Sequence, residues 1–112
     1  MAEGVSGADD FRSMKANFLK KQADSAVKAG NAKEAYLKYS ECLDVMPTGH
    51  KDAHTVYSNR SLAYAKASKF DNALVDAEKA CALKAGWDKA WWRKASALGG
   101  LKQYNEALEA YA

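Results

Sequence analysis

Four side chains on three separate stretches of this sequence share the chemistry of anion capture: Lys20, Asn59, Lys89 and Arg93. A lysine supplies a compact positive charge, and an arginine supplies a planar fork that can hold a carboxylate with two hydrogen bonds. An asparagine adds a neutral amide donor. The sequence contains no nucleophile–base constellation, so these residues predict a binding site for a carboxylate and not an enzyme.

A repeat of 34 residues places these donors in one frame. Residues 54–78 fall on residues 88–112 when shifted by 34, and residues 16–49 fit the same frame with four residues between units. The matching positions include Tyr57 with Trp91, Ala63 with Ala97, and Phe70 with Tyr104. A fixed period of this length is typical of repeat architectures. The frame puts the four donors on one surface, together with a carboxylate, Asp24, that does not suit an anion site.

Helix signals divide each unit into two helices, because Ala, Lys, Glu and Leu dominate and strand-like alternation is absent. Gly30 can end a helix in the left-handed conformation, Asn31 with Glu34 matches a capping box, and Pro47 ends the following helix. The first predicted helix ends near Ala29, and the second follows the Asn31 cap and stops before Pro47. The third and fourth run from about His54 to Ala67 and from about Phe70 to Leu83. The fifth begins near Asp88 and ends in a turn after Gly99-Gly100, and the sixth begins near Tyr104.

Small residues at equivalent positions predict that the two helices of each hairpin approach closely. One set is Ala23, Ser61 and Ala95, and the other is Ala35, Ala73 and Ala107. Large side chains flank these contacts and are expected to pack within and between repeats: Leu19, Tyr57, Trp91, Phe70 and Tyr104. Because one hairpin cannot bury its apolar face alone, neighbouring hairpins should stack, and the predicted fold class is an all-α solenoid.

This unit resembles the tetratricopeptide repeat (TPR), and the resemblance covers residues 16–112. It implies a right-handed α-solenoid of helix–turn–helix units over residues 9–112, after a disordered segment at residues 1–8. The three repeats would lie at about residues 16–49, 54–87 and 88–112, the third incomplete. Because such arrays normally end in a polar capping helix, the sequence is interpreted as the N-terminal part of a longer protein.

In such a solenoid the first helix of each hairpin lines a concave groove, and its groove face can be read at helical spacing. Six positive charges then face the groove against a single acid, Asp24. The six are Lys20, Lys21, Lys28, Lys66, Lys89 and Arg93. Besides the four donors, the expected groove-lining residues are Asp24, Val27, Leu62, Ala65, Lys66 and Trp92.

The basic groove resembles the dicarboxylate-clamp domains of co-chaperones, most closely the N-terminal repeat domain of the Hsp-organising protein family. The stretch Tyr57-Ser58-Asn59-Arg60-Ser61 matches that family's second repeat. The clamp positions fall on Lys20, Asn59, Lys89 and Arg93. The resemblance implies a cytoplasmic, non-enzymatic module that binds the acidic C-terminal tail, of Glu-Glu-Val-Asp type, of heat-shock protein 70 or 90. Neither the preferred chaperone nor the oligomeric state can be read from the sequence.

Asp24 departs from the clamp pattern, which has a second asparagine at this position. A donor is replaced by an acceptor, and two like charges about 4 Å apart cost on the order of 1–4 kcal/mol. Lys20 and Lys21, four and three residues earlier, could pair with Asp24. The alternative function is therefore a TPR scaffold with a weakened or redirected clamp that binds a different peptide partner.

Composition weighs against other classes of partner. The net charge of +3 is too small to indicate nucleic-acid binding, and only Trp92 offers a stacking platform in the groove. No apolar run approaches about 18 residues, so no membrane span is predicted. The start MAEGVSGADDF has neither the basic residues nor the apolar stretch of a secretory signal. A catalytic domain beyond residue 112 stays an alternative.

The cysteines and histidines predict no metal site or cofactor. Cys42 and Cys81 lie far apart without a CxxC motif, which is typical of reduced thiols in a cytosolic protein. His50 and His54 have the spacing of a zinc pair on a helix, but the glutamate of an HExxH motif and a third ligand are both missing.

Overall fold

A computed structural model describes residues 7–111, which form five α-helices. They are α1 (Gly7–Lys28), α2 (Ala32–Val45), α3 (Ala53–Lys66), α4 (Phe70–Leu83) and α5 (Asp88–Tyr111). α1 packs against α2 and α3 against α4 as two hairpins, and α5 packs against α4 and α3. The body measures 64 × 29 × 20 Å, as stacked hairpins require. The prediction of an all-α repeat solenoid is confirmed.

The start of α1 differs from the prediction of disorder over residues 1–8. Gly7 and Ala8 are helical, and residues 1–6 lie outside the described residues. Asp9 and Asp10 fall in the first turn of α1, where carboxylates are stabilised by the positive end of the helix dipole. This interaction favours helix from Gly7 onward.

The turn of the first hairpin forms as predicted. Gly30 has φ of +79°, the left-handed conformation that glycine adopts without steric cost. The Asn31 side chain accepts a hydrogen bond from the Glu34 backbone N–H at 3.2 Å and donates one to the Glu34 carboxylate at 3.0 Å. The capping pair therefore fixes where α2 begins.

Small residues bring the helices of each hairpin together, as the repeat predicts. Ala23, Ala35 and Ala73 are fully buried, and Ser61 is 1% exposed. The Ser61 hydroxyl donates to the Ala73 carbonyl at 2.7 Å, so this small polar residue has its hydrogen bond across the hairpin.

The predicted turn after Gly99-Gly100 is wrong, because α5 runs without interruption from Asp88 to Tyr111. Gly100 instead permits a close approach: a Cβ at this position would lie 2.3 Å from the Phe70 ring. The glycine is thus a packing residue at the α4–α5 contact. Leu101, Lys102 and Gln103 are good helix formers and let the helix continue.

The continuation of α5 leaves part of its surface uncovered. Trp91 and Tyr104, expected to pack within or between repeats, are 53% and 55% exposed. Ala95, expected in a close hairpin contact, is also exposed. These expectations fail for one reason, since all three needed a second helix folded back on α5. The side chain of Ala107 lies outside the described residues.

Arg60 links three helices in the interior. Its guanidinium donates to both carboxylate oxygens of Asp76 on α4, at 2.6 and 2.7 Å, and to the Ser40 hydroxyl on α2 at 3.0 Å. Asp76 is only 1% exposed. Burial lowers the pKa of Arg60, but the hydrogen bonds and charge of Asp76 outweigh burial and raise it. A buried charge paired in this way stays ionised and holds the hairpins in register.

No helix in the described part of the chain has the length and apolar character to cross a membrane. Over residues 7–111 no cluster of three or more His, Cys, Asp or Glu residues has the geometry to hold a metal ion. The two histidines have structural contacts: His50 Nδ1 accepts from the Asp52 backbone N–H at 3.1 Å, and His54 packs edge-on against Trp87.

Candidate functional site

The candidate groove lies along α1, α3 and α5, the first helices of the successive units. α3 lies between the other two and contacts both. We call the residues Lys20, Asp24 and Tyr39 the α1 half of the groove, and Lys89 and Arg93 the α5 half. Asn59, on α3, lies between the two halves.

In the α1 half, Asp24 is held by two neighbouring donors. Lys20 Nζ lies 3.1 Å from Asp24 Oδ2, and the Tyr39 hydroxyl donates to Asp24 Oδ1. The predicted pairing of Asp24 with a lysine is confirmed for Lys20. Each carboxylate oxygen of Asp24 therefore has one donor, and the charge of Lys20 is partly neutralised.

Tyr39 lines the same cavity as Asp24, and the sequence pattern did not single it out as a site residue. It comes from α2 and is 1% exposed. Burial, followed by the hydrogen bond and charge of Asp24, raises the pKa of Tyr39 well above its ordinary value, and Asn59 acts in the opposite direction. The signal in the sequence that could have identified this residue is the tyrosine itself, because a buried phenol hydroxyl needs a hydrogen-bond partner.

A cavity of about 240 Å³ opens between α1, α2 and α3. Its lining consists of Asp24, Val27, Lys28, Tyr39, Asn59 and Leu62. Four residues of the predicted groove face are thus brought together with Asn59: Asp24, Val27, Lys28 and Leu62. The lining combines two apolar side chains, Val27 and Leu62, with polar and charged ones.

A second cavity of about 340 Å³ lies toward the start of α3, lined by Asn17, Lys20, Lys21, Asp52 and Thr55. Asp52 precedes α3 as its N-cap residue. The expectation of a single acid in the groove is therefore wrong, since Asp52 contributes a second carboxylate. Sequence spacing missed it because this residue lies in the loop outside the helix face.

In the α5 half, Arg93 has an unused donor. Its Nε atom is buried and has no hydrogen-bond partner among the described residues. Burial lowers the pKa of this guanidinium, an effect that Tyr39 partly opposes. A buried N–H without an acceptor is costly, so an anion placed there would be stabilised.

The remaining predicted residues line neither of these two cavities. Lys89 lies one turn before Arg93 and is exposed, and Trp92 is 67% exposed. On α3, Ala65 is half-buried and Lys66 is exposed in the last turn. These side chains are accessible to a ligand along the groove.

No protein-family model matches the chain. Curated proteins do: human sperm-associated antigen 1 is 38% identical over 102 residues, which are 91% of this chain and 10% of that protein. The Hsp70-Hsp90 organizing protein of Triticum aestivum is 35% identical over 96 residues, which are 86% of this chain and 16% of that protein. The chain thus spans less than a fifth of the length of these relatives.

Among solved structures, the first TPR domain of Spaghetti (RPAP3), bound to the HSP90 peptide SRMEEVD, is similar with a TM-score of 0.70. The sequences are 30% identical, and the match covers 88% of this chain and 77% of that chain. The likeness therefore extends over both hairpins and into α5.

Proposed function

Because the chain belongs to the tetratricopeptide-repeat family, we propose that it is a co-chaperone module that binds the acidic C-terminal tail of heat-shock protein 70 or 90. The named relatives support this proposal, since one is an Hsp70-Hsp90 organizing protein and the TPR domain of another is bound to an HSP90 peptide. The proposed module is non-enzymatic and acts in the cytoplasm.

The observation that carries the proposal is the buried Nε of Arg93, which has no hydrogen-bond partner among the described residues. The Arg93 guanidinium interacts electrostatically with Tyr39, which lines the same cavity as Asn59. A ligand carboxylate would provide the acceptor that this donor lacks. Charge-assisted hydrogen bonds to carboxylates are about twice as strong as neutral ones, and the arginine fork adds geometric specificity.

A C-terminal acidic residue has two carboxylates, one on the main chain and one on the side chain. We assign one to Lys89 and Arg93 on α5 and the other to Lys20 and Asn59. Leu62 and Val27 then provide apolar contacts for the preceding side chain of the tail, because they line the same cavity as Asn59.

Asp24 is the observation that favours a second candidate, a TPR scaffold whose clamp is redirected to another peptide. Its carboxylate is a fixed acceptor in the α1 half, held by Lys20 and Tyr39. Such a groove would select a partner with a basic or neutral group at this point. Failure of every acidic tail, together with a stable partner recovered by affinity purification, would favour this function.

The test is calorimetric titration of the chain with the peptide SRMEEVD as a free acid and as its C-terminal amide. We expect the free acid to bind at least about tenfold more tightly, since amidation removes one of the two carboxylates. Equal binding of the two peptides, or binding of neither, would sink the clamp. A peptide with its final Asp replaced by Asn, left as a free acid, separates the two carboxylates.

A further inference from the structure

Three large apolar side chains on α1 remain largely uncovered, and we call them the α1 stripe. Phe11 is 68% exposed, Met14 is 69% exposed and Phe18 is 61% exposed. Their spacing of three and four residues places them on one face of the helix. A different face of α1 packs in the core, through Ala16, Leu19, Ala23 and Ala26. An exposed apolar patch of this kind marks an interaction surface.

The stripe lies on a part of α1 that is anchored to the rest of the fold. Arg12 follows Phe11 directly, and its Nε donates to the Val45 carbonyl at the end of α2 at 3.0 Å. Ala16, two residues after Met14, is fully buried. These contacts hold the first turns of α1 against α2. Side chains on such a fixed helix lose little further freedom when a partner binds, which favours association.

Opposite charges lie at the two ends of the stripe. Asp10 and Lys21 are both exposed, and neither has an ion-pair partner among the described residues. They are eleven residues apart, which is close to three helical turns, so both lie along the same edge of the stripe. Their separation along the helix axis is about 16 Å, too far for a contact within one chain. Each charge is therefore free to pair with a group on a partner.

We propose that the α1 stripe is a self-association surface, through which two copies of this chain pair with their α1 helices antiparallel. Phe11 of each copy then contacts Phe18 of the other, because the two positions are equidistant from the centre of the stripe. Along the axis, Asp10 comes within about 3 Å of the level of Lys21 in the second copy, and twofold symmetry forms this ion pair twice. A parallel arrangement would bring like charges together, which is unfavourable.

The size of the stripe sets the strength of this pairing. Three side chains of this exposure offer roughly 300–500 Å² per copy, so the pair buries less than the roughly 1,200–2,000 Å² of stable complexes. A weak dimer follows, with a dissociation constant on the order of 10–100 μM. A membrane surface fits the stripe less well, because anionic lipids attract a basic surface and the stripe has an acid, Asp10, at one end.

Analytical ultracentrifugation measures the weight-average mass of the chain from about 5 to about 500 μM, on either side of the expected dissociation constant. We expect the mass to rise from 12.2 kDa toward twice that value. The Phe11→Ser, Phe18→Ser double variant should stay monomeric, because it removes most of the apolar contact. The matched control is Leu98→Ser, which removes an exposed apolar side chain from α5 and should leave the association unchanged.

Two charge reversals test the antiparallel pairing. Asp10→Lys and Lys21→Asp should each raise the dissociation constant about three- to tenfold, because each places like charges at two equivalent positions. The combined variant restores opposite charges between the copies and should return the constant to within about twofold of its original value. Circular dichroism checks that each variant keeps its helix content, since Asp10 also stabilises the start of α1.

A mass that stays at 12.2 kDa up to about 500 μM would overturn the proposal. So would weakening by both single reversals without recovery in the combined variant. Association that is lost in Leu98→Ser and kept in the double phenylalanine variant would assign the contact to α5. Binding to phosphatidylserine vesicles by a chain that stays monomeric would assign the stripe to a membrane. The three stripe residues line neither groove cavity, so all these outcomes leave the proposed function standing.

Discussion

The α1 half and the α5 half of the groove both present cations, but their surroundings differ. In the α1 half, Lys20 lies 3.1 Å from Asp24, whose second oxygen accepts from Tyr39. In the α5 half, the Nε of Arg93 is buried and has no partner among the described residues. One half is internally satisfied, and the other has an unfilled donor. A count of positive charges would rate the two halves as similar, whereas the partners of each charge show that they are not.

The largest expected effect tests the α5 half. Arg93→Ala should weaken binding of the free-acid peptide about 100-fold, because it removes a charge-assisted bond from a buried position. Arg93→Lys should fall in between, since it keeps the charge but loses the planar fork. The matched control is Lys21→Ala, an exposed cation on the same groove, which should change affinity by about twofold or less. Comparable losses in Arg93→Ala and Lys21→Ala would contradict the distinction between the halves.

The next effect concerns the packing that positions α5. Gly100→Ala should lower the free energy of unfolding by about 1–3 kcal/mol, because its Cβ would overlap the Phe70 ring. Gly99→Ala is the matched control: nothing lies within 4 Å of its added Cβ, so it should stabilise α5 by up to about 1 kcal/mol. Urea denaturation of the two variants measures the change in the free energy of unfolding, which should be negative for Gly100→Ala and positive for Gly99→Ala. Equal shifts would show that Gly100 has no special contact.

The α1 half is probed by Asp24→Asn at a single pH. At pH 7.5 this variant should bind the free-acid peptide about tenfold more tightly, since a repelling carboxylate becomes an amide donor. This gain corresponds to the lower end of the repulsion of about 1–4 kcal/mol between like charges, because Lys20 and Tyr39 already offset part of it. An unchanged dissociation constant would mean that Asp24 does not face the ligand.

The smallest effect reports on the interior of the α1 half. Burial raises the pKa of the Cys42 thiol from 9.0 to about 11. Between these values the folded protein keeps a proton that the unfolded chain loses, so stability falls as pH rises through this window, by on the order of 1 kcal/mol at pH 10. Chemical denaturation at pH 8 and pH 10 measures the fall, and Cys42→Ala should reduce it. A fall of the same size in that variant would assign the effect to other groups.

Local signals in the sequence predicted most of the fold. The 34-residue frame, Gly30, the Asn31 cap and Pro47 act within a few residues of the boundaries that they set, and α4 spans the predicted Phe70–Leu83. Gly99-Gly100 misled the prediction because a glycine can serve a turn or a close contact equally well. Only the position of Phe70 in space distinguishes the two uses.

The candidate site was predictable where it follows helix periodicity and hidden where it does not. Asn59 and Asp24 do line a common cavity, as the groove face predicted. Tyr39 lines that cavity from α2, the second helix of its hairpin, and Asp52 lines the adjacent cavity from a loop. The helical spacing of the first helices therefore predicts neither residue. The partners of Arg60, at 16 and 20 residues along the chain, likewise depend on tertiary packing.

The Arg60 guanidinium has a mechanical consequence for the solenoid. One planar group bonds α2 through Ser40 and α4 through Asp76, so neither hairpin can slide along the other without breaking several bonds at once. Under a pulling force the two hairpins should part abruptly and not by gradual shear. The curvature of the groove between the hairpins is then preorganised. A peptide that matches this curvature binds with little free-energy cost for rearranging the protein.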